Sequence, residues 1–168
     1  MPINKPDMRN PVLLLAFGFG SGLSPKAPGT FGSLAALPFF LLLGGLPLPL
    51  FLLVVGLVSV AGIWICGRAA TLMGVHDHGG IVLDEFAGQW LTLLPLVPVS
   101  NWSLATGLWV LLGFALFRLF DILKPWPIRW FDENVHGGLG IMVDDIAAAV
   151  PAGLLLWLCR LGWAYWAG

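Results

Sequence analysis

A chain of 168 residues that is 58% hydrophobic and only 10% charged lies far from the roughly 25% charged residues of a soluble domain, which excludes a water-soluble globule. A formal net charge of −1 excludes the basic surface expected of a nucleic-acid partner. The length suits one domain over residues 1–168. At about 20 apolar residues per crossing, it accommodates about four or five inserted helices, an all-α polytopic membrane bundle.

Residues 1–10 read as a polar tail, broken by Pro2, Lys5, Pro6, Asp7 and Arg9 and lacking the apolar core and cleavage site of a signal peptide. Residues 11–20 are a short apolar approach. Residues 21–33 are dense in Gly, Pro and hydroxyls and predict a loop, with Thr30 or Ser33 as N-cap of the first inserted helix. That helix, 34–43, is short and contains Pro38, so it either spans with a kink or is re-entrant. A turn over 44–49 leads to a second helix, 50–71, with Arg68 in its last turn. The loop 73–80 carries His76, Asp77 and His78. The third helix, 83–94, is headed by Asp84 and Glu85 and stops at Pro95. After an uncharged turn the fourth helix, 102–123, ends at Pro125. The aromatic, charged segment 126–138 suits a membrane interface. The last helix starts near Gly140 and passes Asp144 and Asp145 to about Trp163. Cys66 and Cys159 stand in apolar runs and read as buried thiols.

If the helices alternate across the membrane, every acid falls on one side, and the turns on the other side carry no charge. Seven of the eight basic residues share the acidic side: Lys5, Arg9, Lys26, Arg68, Arg118, Lys124 and Arg129. Arg160 is the exception. The positive-inside rule makes that side cytoplasmic. A re-entrant first helix would move the opening loop to the other face.

Acids in apolar runs are costly, about 2.5–3.5 kcal/mol for one carried to a bilayer centre. Complementing a helix N-terminus gives back about 0.3–1 kcal/mol, which accounts for Asp84, Glu85, Asp144 and Asp145 singly. It cannot account for Asp121, which opposes the dipole at a helix end. Five carboxylates at one face repel unless a divalent cation or basic partners neutralise them, and all-oxygen ligation suits Mg²⁺. Arg118, Asp121 and Lys124 recur every third residue, either as a chain of ion pairs or as an anion clamp. The opening loop adds donors at a helix N-terminus. His76 and His78 have a spacing seen in metal sites, but backbone-bonded loop histidines fit as well; His136 is similar. The sequence has no Cys-x5-Arg loop, no Asp-x-Asp pair and no Walker loop, which leaves direct attack by activated water as the simplest hydrolytic route. A cation or proton transporter would instead distribute acids through the depth of the helices. A non-catalytic scaffold would have no need of the Arg118, Asp121, Lys124 series.

Several blocks, in order, carry a resemblance: Gly20-Ser21-Gly22-Leu23-Ser24-Pro25, Pro28-Gly29-Thr30, Gly32-Ser33-Leu34-Ala35-Ala36, Met73-Gly74-Val75-His76-Asp77-His78-Gly79 and Asp84-Glu85-Phe86. They continue with Phe117-Arg118, Asp121, Lys124-Pro125-Trp126-Pro127-Ile128-Arg129-Trp130-Phe131-Asp132, Asn134-Val135-His136-Gly137-Gly138 and Gly140-Ile141-Met142-Val143-Asp144-Asp145-Ile146. Together these resemble bacterial phosphatidylglycerophosphatase A from about Val12 onward. The resemblance implies a Mg²⁺-dependent enzyme of the bacterial inner membrane, with soluble relatives that are all-helical. It also implies hydrolysis of phosphatidylglycerophosphate to phosphatidylglycerol and phosphate. Combined with the residue chemistry, it sets these expectations: Asp84, Glu85, Asp144 and Asp145 hold Mg²⁺; Asp121 or Glu85 orients water as general base; Arg118 and Lys124 grip phosphate, assisted by Lys26, Thr30 and Ser33. The headgroup would meet this interfacial, cytoplasmic site while the acyl chains stay in lipid.

Overall fold

Apolar stretches punctuated by proline and glycine fold into a helical bundle. The computed structural model describes residues 6–75 and 78–167. Residues 1–5, His76, Asp77 and Gly168 lie outside the described residues, and with them the expectations for Lys5 and for the His76, Asp77 part of the histidine loop. The chain forms α1 (Pro11–Ala16), a 3-10 segment (Gly18–Leu23), α2 (Pro28–Leu43), α3 (Leu48–Met73) and α4 (Leu83–Thr92). A second 3-10 segment (Leu94–Leu96), α5 (Leu104–Leu123), α6 (Ile128–Asn134) and α7 (Gly137–Ala167) follow. No strand occurs among the described residues.

Local chemistry explains the boundaries. The Asn10 side chain accepts from Val12 N at the head of α1. Proline occupies the opening positions of α2 and α3, where its missing N–H costs nothing. Gly74 closes α3 in the left-handed conformation, its N–H donating to Ala70 and Thr71 carbonyls, as C-terminal glycines do. The Ser103 side chain caps α5 by accepting from Thr106 N. Two sequence expectations are corrected here. α2 begins at Pro28, so Thr30 and Ser33 lie inside its first two turns and Ala27 is the cap residue. Arg68 lies further from the end of α3 than its last turn.

α3, α5 and α7 are long and apolar enough to cross a membrane. At about 1.5 Å per residue, α2 with 16 residues rises about 24 Å and α4 with 10 residues about 15 Å, both short of a hydrocarbon core of about 30 Å. α4 can be short because it is interior. It packs against α7, α2, α3 and α5, and apart from Asp84 and Leu91 its residues are buried. Polar side chains are tolerated there because neighbouring helices rather than lipid surround them. The outer helices present Leu53, Leu57, Trp64, Leu108, Leu111, Leu154 and Leu158 outward. Cys66 is buried as expected, whereas Cys159 is exposed on the outer face of α7.

The two ends of the bundle differ. At one end Val99 N donates to Gly44 O at 2.7 Å and Arg160 donates to Pro95 O, joining the uncharged turns. At the other end Gly29, at the start of α2, lies against Glu85 and Arg118. α2 therefore runs the same way through the bundle as a crossing segment would, not back to its own end. α7 approaches α3 backbone to backbone: a Cβ on Gly138 would overlap Ile63 O and stand 2.7 Å from Gly67 N. Small residues permit such contact between membrane helices, and here the contact anchors the start of the helix that bears Asp144 and Asp145.

Candidate active site

Four helices deliver the polar cluster. α4 contributes Asp84 and Glu85 from its first turn, and α5 contributes Arg118 and Asp121 near its end. α7 contributes Asp144 and Asp145, and α2 contributes Ser33. α7 begins at Gly137, so its two acids lie beyond the first turn, where the helix dipole no longer supports them. Capping is thereby removed as an explanation for that pair.

The carboxylates form two overlapping groups. Asp84, Asp144 and Asp145 each offer an oxygen, all within 4.8 Å of one another, and Glu85, Asp121 and Asp145 do the same. Asp145 belongs to both. Asp84 Oδ1 and Asp145 Oδ2 are buried without a hydrogen-bond partner among the described residues.

Two cations border the cluster. Arg118 Nη1 donates to Glu85 Oε2 and to Ser33 Oγ at 3.2 Å, while Nη2 stands 3.1 Å from Asp121 Oδ2. The buried Ser33 hydroxyl lies within hydrogen-bond reach of both Glu85 Oε2 and Gly29 O. Lys124 Nζ donates to Asp144 Oδ2 at 2.7 Å and Asp132 Oδ1 at 2.6 Å. Burial disfavours the Lys124 ammonium, but these hydrogen bonds and the two negative charges outweigh it and hold its pKa above the ordinary lysine range.

The Arg118, Asp121, Lys124 series is split rather than continuous. Lys124 sits past the end of α5 in the left-handed conformation, φ 40°, and pairs with α6 and α7 instead of Asp121. Lys26 is exposed and Thr30 half-buried; neither makes a side-chain hydrogen bond or ion pair with the cluster among the described residues. His78 Nδ1 accepts from Gly80 N at 3.0 Å, the backbone-bonded alternative, and neither carboxylate group contains a histidine.

Sequence reasoning passed over Asp132 and Gly29. Asp132 reaches the cluster only because the turn over Pro125 and Pro127 folds α6 back toward Lys124, which spacing does not reveal. Gly29 had a faint signal only in its position beside Pro28, within a stretch read as a loop.

A family model described as phosphatidylglycerophosphatase A matches residues 14–160. The chain belongs to the phosphatidylglycerophosphatase A family. It is similar to phosphatidylglycerophosphatase A of Escherichia coli (strain K12), 57% identical over 152 residues, covering 90% of this chain and 85% of that one. It is also similar to phosphatidylglycerophosphatase A of Haemophilus influenzae, 45% identical over 166 residues, covering 98% and 96%. No solved structure matches the chain. The resemblance read from the sequence blocks is thus borne out.

In this member of the phosphatidylglycerophosphatase A family, Gly29 leaves the space in which Arg118 and Glu85 meet. A Cβ there would overlap Glu85 Oε1 and stand 3.2 Å from Arg118 Nη2. Gly29→Ala is therefore expected to destabilise the detergent-solubilised protein by about 1–3 kcal/mol through overpacking and to lower turnover. Gly45→Ala, with nothing within 4 Å of the added carbon, is the neutral control. Equal thermal midpoints for the two variants would refute the close-approach role of Gly29.

Proposed function

We propose that the chain is a lipid phosphatase of the bacterial inner membrane. It hydrolyses phosphatidylglycerophosphate to phosphatidylglycerol and inorganic phosphate with Mg²⁺, at a site facing the cytoplasm. Family membership, with high identity over nearly the full length of both relatives, carries the substrate and reaction. The gathering of five carboxylates with Arg118 and Lys124 at one end of the bundle supports it, since a transport path would string acids through the membrane.

The donor set fits Mg²⁺: oxygens only, closely grouped, two of them buried and otherwise unsatisfied. Asp84, Glu85, Asp144 and Asp145 would hold it. When bound, such a cation supplies Lewis-acid polarisation of the phosphoryl oxygens. The protein's own groups do the rest. Arg118 and Lys124 exchange part of their carboxylate pairing for phosphate oxygens and offset charge developing there, with Ser33 supporting Arg118 from behind. Lys26 and Thr30, on the approach from the start of α2, assist the incoming headgroup. Asp121 or Glu85, both paired with Arg118, orients the attacking water and takes its proton. A P–O bond forms to the water oxygen, the P–O bond to glycerol breaks, and the proton returns to the leaving oxygen.

An apolar groove of about 720 Å³ runs beside the site, lined by Phe120, Ile128, Phe131, Val143, Ala147 and Val150 among others. Phe120 and Val143 are chain neighbours of Asp121 and Asp144, so the lipid's apolar part meets an apolar surface next to the carboxylates. The test is phosphate release from phosphatidylglycerophosphate by the purified protein in mixed micelles. Chelation of divalent ions is expected to stop turnover and added Mg²⁺ to restore it. An undiminished rate in chelator would overturn the metal-assisted reading, and no phosphate release under any condition would overturn the function.

A further inference from the structure

We infer that the acidic cluster binds two divalent cations, with Asp145 as the carboxylate shared between them. This rests on the lipid-phosphatase reading and deepens it. The carboxylates do not form one ring: they form two groups of three, Asp84, Asp144, Asp145 and Glu85, Asp121, Asp145, that have only Asp145 in common. Independently of that spacing, Asp145 is only 3% exposed, yet its Oδ2 has no hydrogen-bond partner among the described residues. A buried polar atom left unsatisfied costs about 1–3 kcal/mol, more when charged. Asp84 Oδ1, in the first group, is in the same condition. Cation ligation at the shared residue and at Asp84 removes that cost.

Charge decides the number of ions. Five carboxylates face two cationic side chains, Arg118 and Lys124, and Lys124 also serves Asp132. With Asp132 counted, four negative charges are left over, in a site that must admit a phosphomonoester carrying roughly two more. One divalent cation leaves the empty site negative, which repels the substrate. Two neutralise it before substrate arrives. Oxygen donors suit Mg²⁺ and Mn²⁺ alike, and cation pairs about 3.5–4 Å apart recur where proteins handle phosphate esters.

Mn²⁺ is the probe, because two manganese ions bridged by a carboxylate couple magnetically and isolated ones do not. The full chain in detergent micelles, stripped of divalent ions, is titrated with Mn²⁺ while bound metal is counted and the electron paramagnetic resonance spectrum is recorded. Two Mn²⁺ per chain with an exchange-coupled spectrum are expected. Asp145→Asn is expected to abolish the coupling and lower the count. Should that variant fail to fold, Asp121→Asn, which alters the second group only, is expected to retain one uncoupled ion. A single uncoupled Mn²⁺ in the unaltered chain would overturn the two-ion arrangement and leave the phosphatase reading standing, whereas absence of binding would overturn the two-ion arrangement and the metal-assisted route together, with phosphate release deciding the phosphatase reading separately. A coupled pair that survives Asp145→Asn would overturn the bridging role.

Discussion

Replacing Asp84 by asparagine is expected to eliminate phosphate release, by at least about 10²–10³-fold, while leaving the protein as stable as before or more so. The two effects separate because the carboxylate is poorly accommodated by the fold itself. Asp84 Oδ1 is buried without a partner and lies in one group with Asp144 and Asp145, so in the absence of a ligand its charge opposes folding through repulsion and desolvation. An amide of the same shape removes the charge and keeps the packing. Groups that destabilise the fold yet are required for turnover follow the usual stability–activity trade-off. Phosphate release and the thermal midpoint in detergent, measured on one preparation, decide the matter. Full activity would sink the assignment of Asp84 to cation binding.

The second large effect concerns Arg118, where stability and activity fall together. Its guanidinium joins Glu85, Asp121 and Ser33 from three helices. Arg118→Leu strands Glu85 as a buried, uncompensated charge, and breaking a buried pair from one side costs about 3–5 kcal/mol. Combining Arg118→Leu with Glu85→Leu is expected to recover much of that stability, because an apolar pair of similar volume replaces an ion pair at little net cost. Activity is expected to stay lost in both variants. Arg118→Lys is also expected to fail, since one ammonium cannot reproduce the fork that spans two carboxylates. A double variant no more stable than Arg118→Leu would show that Glu85 is not the charge being compensated.

How much of this was legible in the sequence follows from what each signal depends on. The order of the helices was legible because apolar length and proline or glycine punctuation are local. The start of α2 was not: Pro28 and Gly29 read as loop formers, yet proline is well suited to a first helical turn, and the helix begins there. α7 begins before Gly140 for a related reason, Gly138 serving close contact with α3 rather than a turn. The five acids were legible because charge in apolar sequence is expensive wherever it falls. Their partners were not, because the pairing of Arg118 with Glu85 and of Lys124 with Asp132 and Asp144 depends on how α4, α6 and α7 meet. The spacing of Arg118, Asp121 and Lys124 suggested one helical face, but the left-handed turn at Lys124 divides it. Cys159 sits in an apolar run like Cys66, and hydrophobicity alone cannot tell a lipid-facing position from a core one.

The length of α7 has a consequence for where chemistry meets lipid. From Asp145 to the helix end at Ala167 the backbone rises about 34 Å at about 1.5 Å per residue, and from the start of α5 at Leu104 to Asp121 about 27 Å. Both bracket a hydrocarbon thickness of about 30 Å. The two helices thus act as a depth gauge: with their far ends set at one bilayer surface, the carboxylates come level with the opposite headgroup layer. A phosphate held there by its own lipid need neither sink into hydrocarbon nor leave the leaflet to reach them.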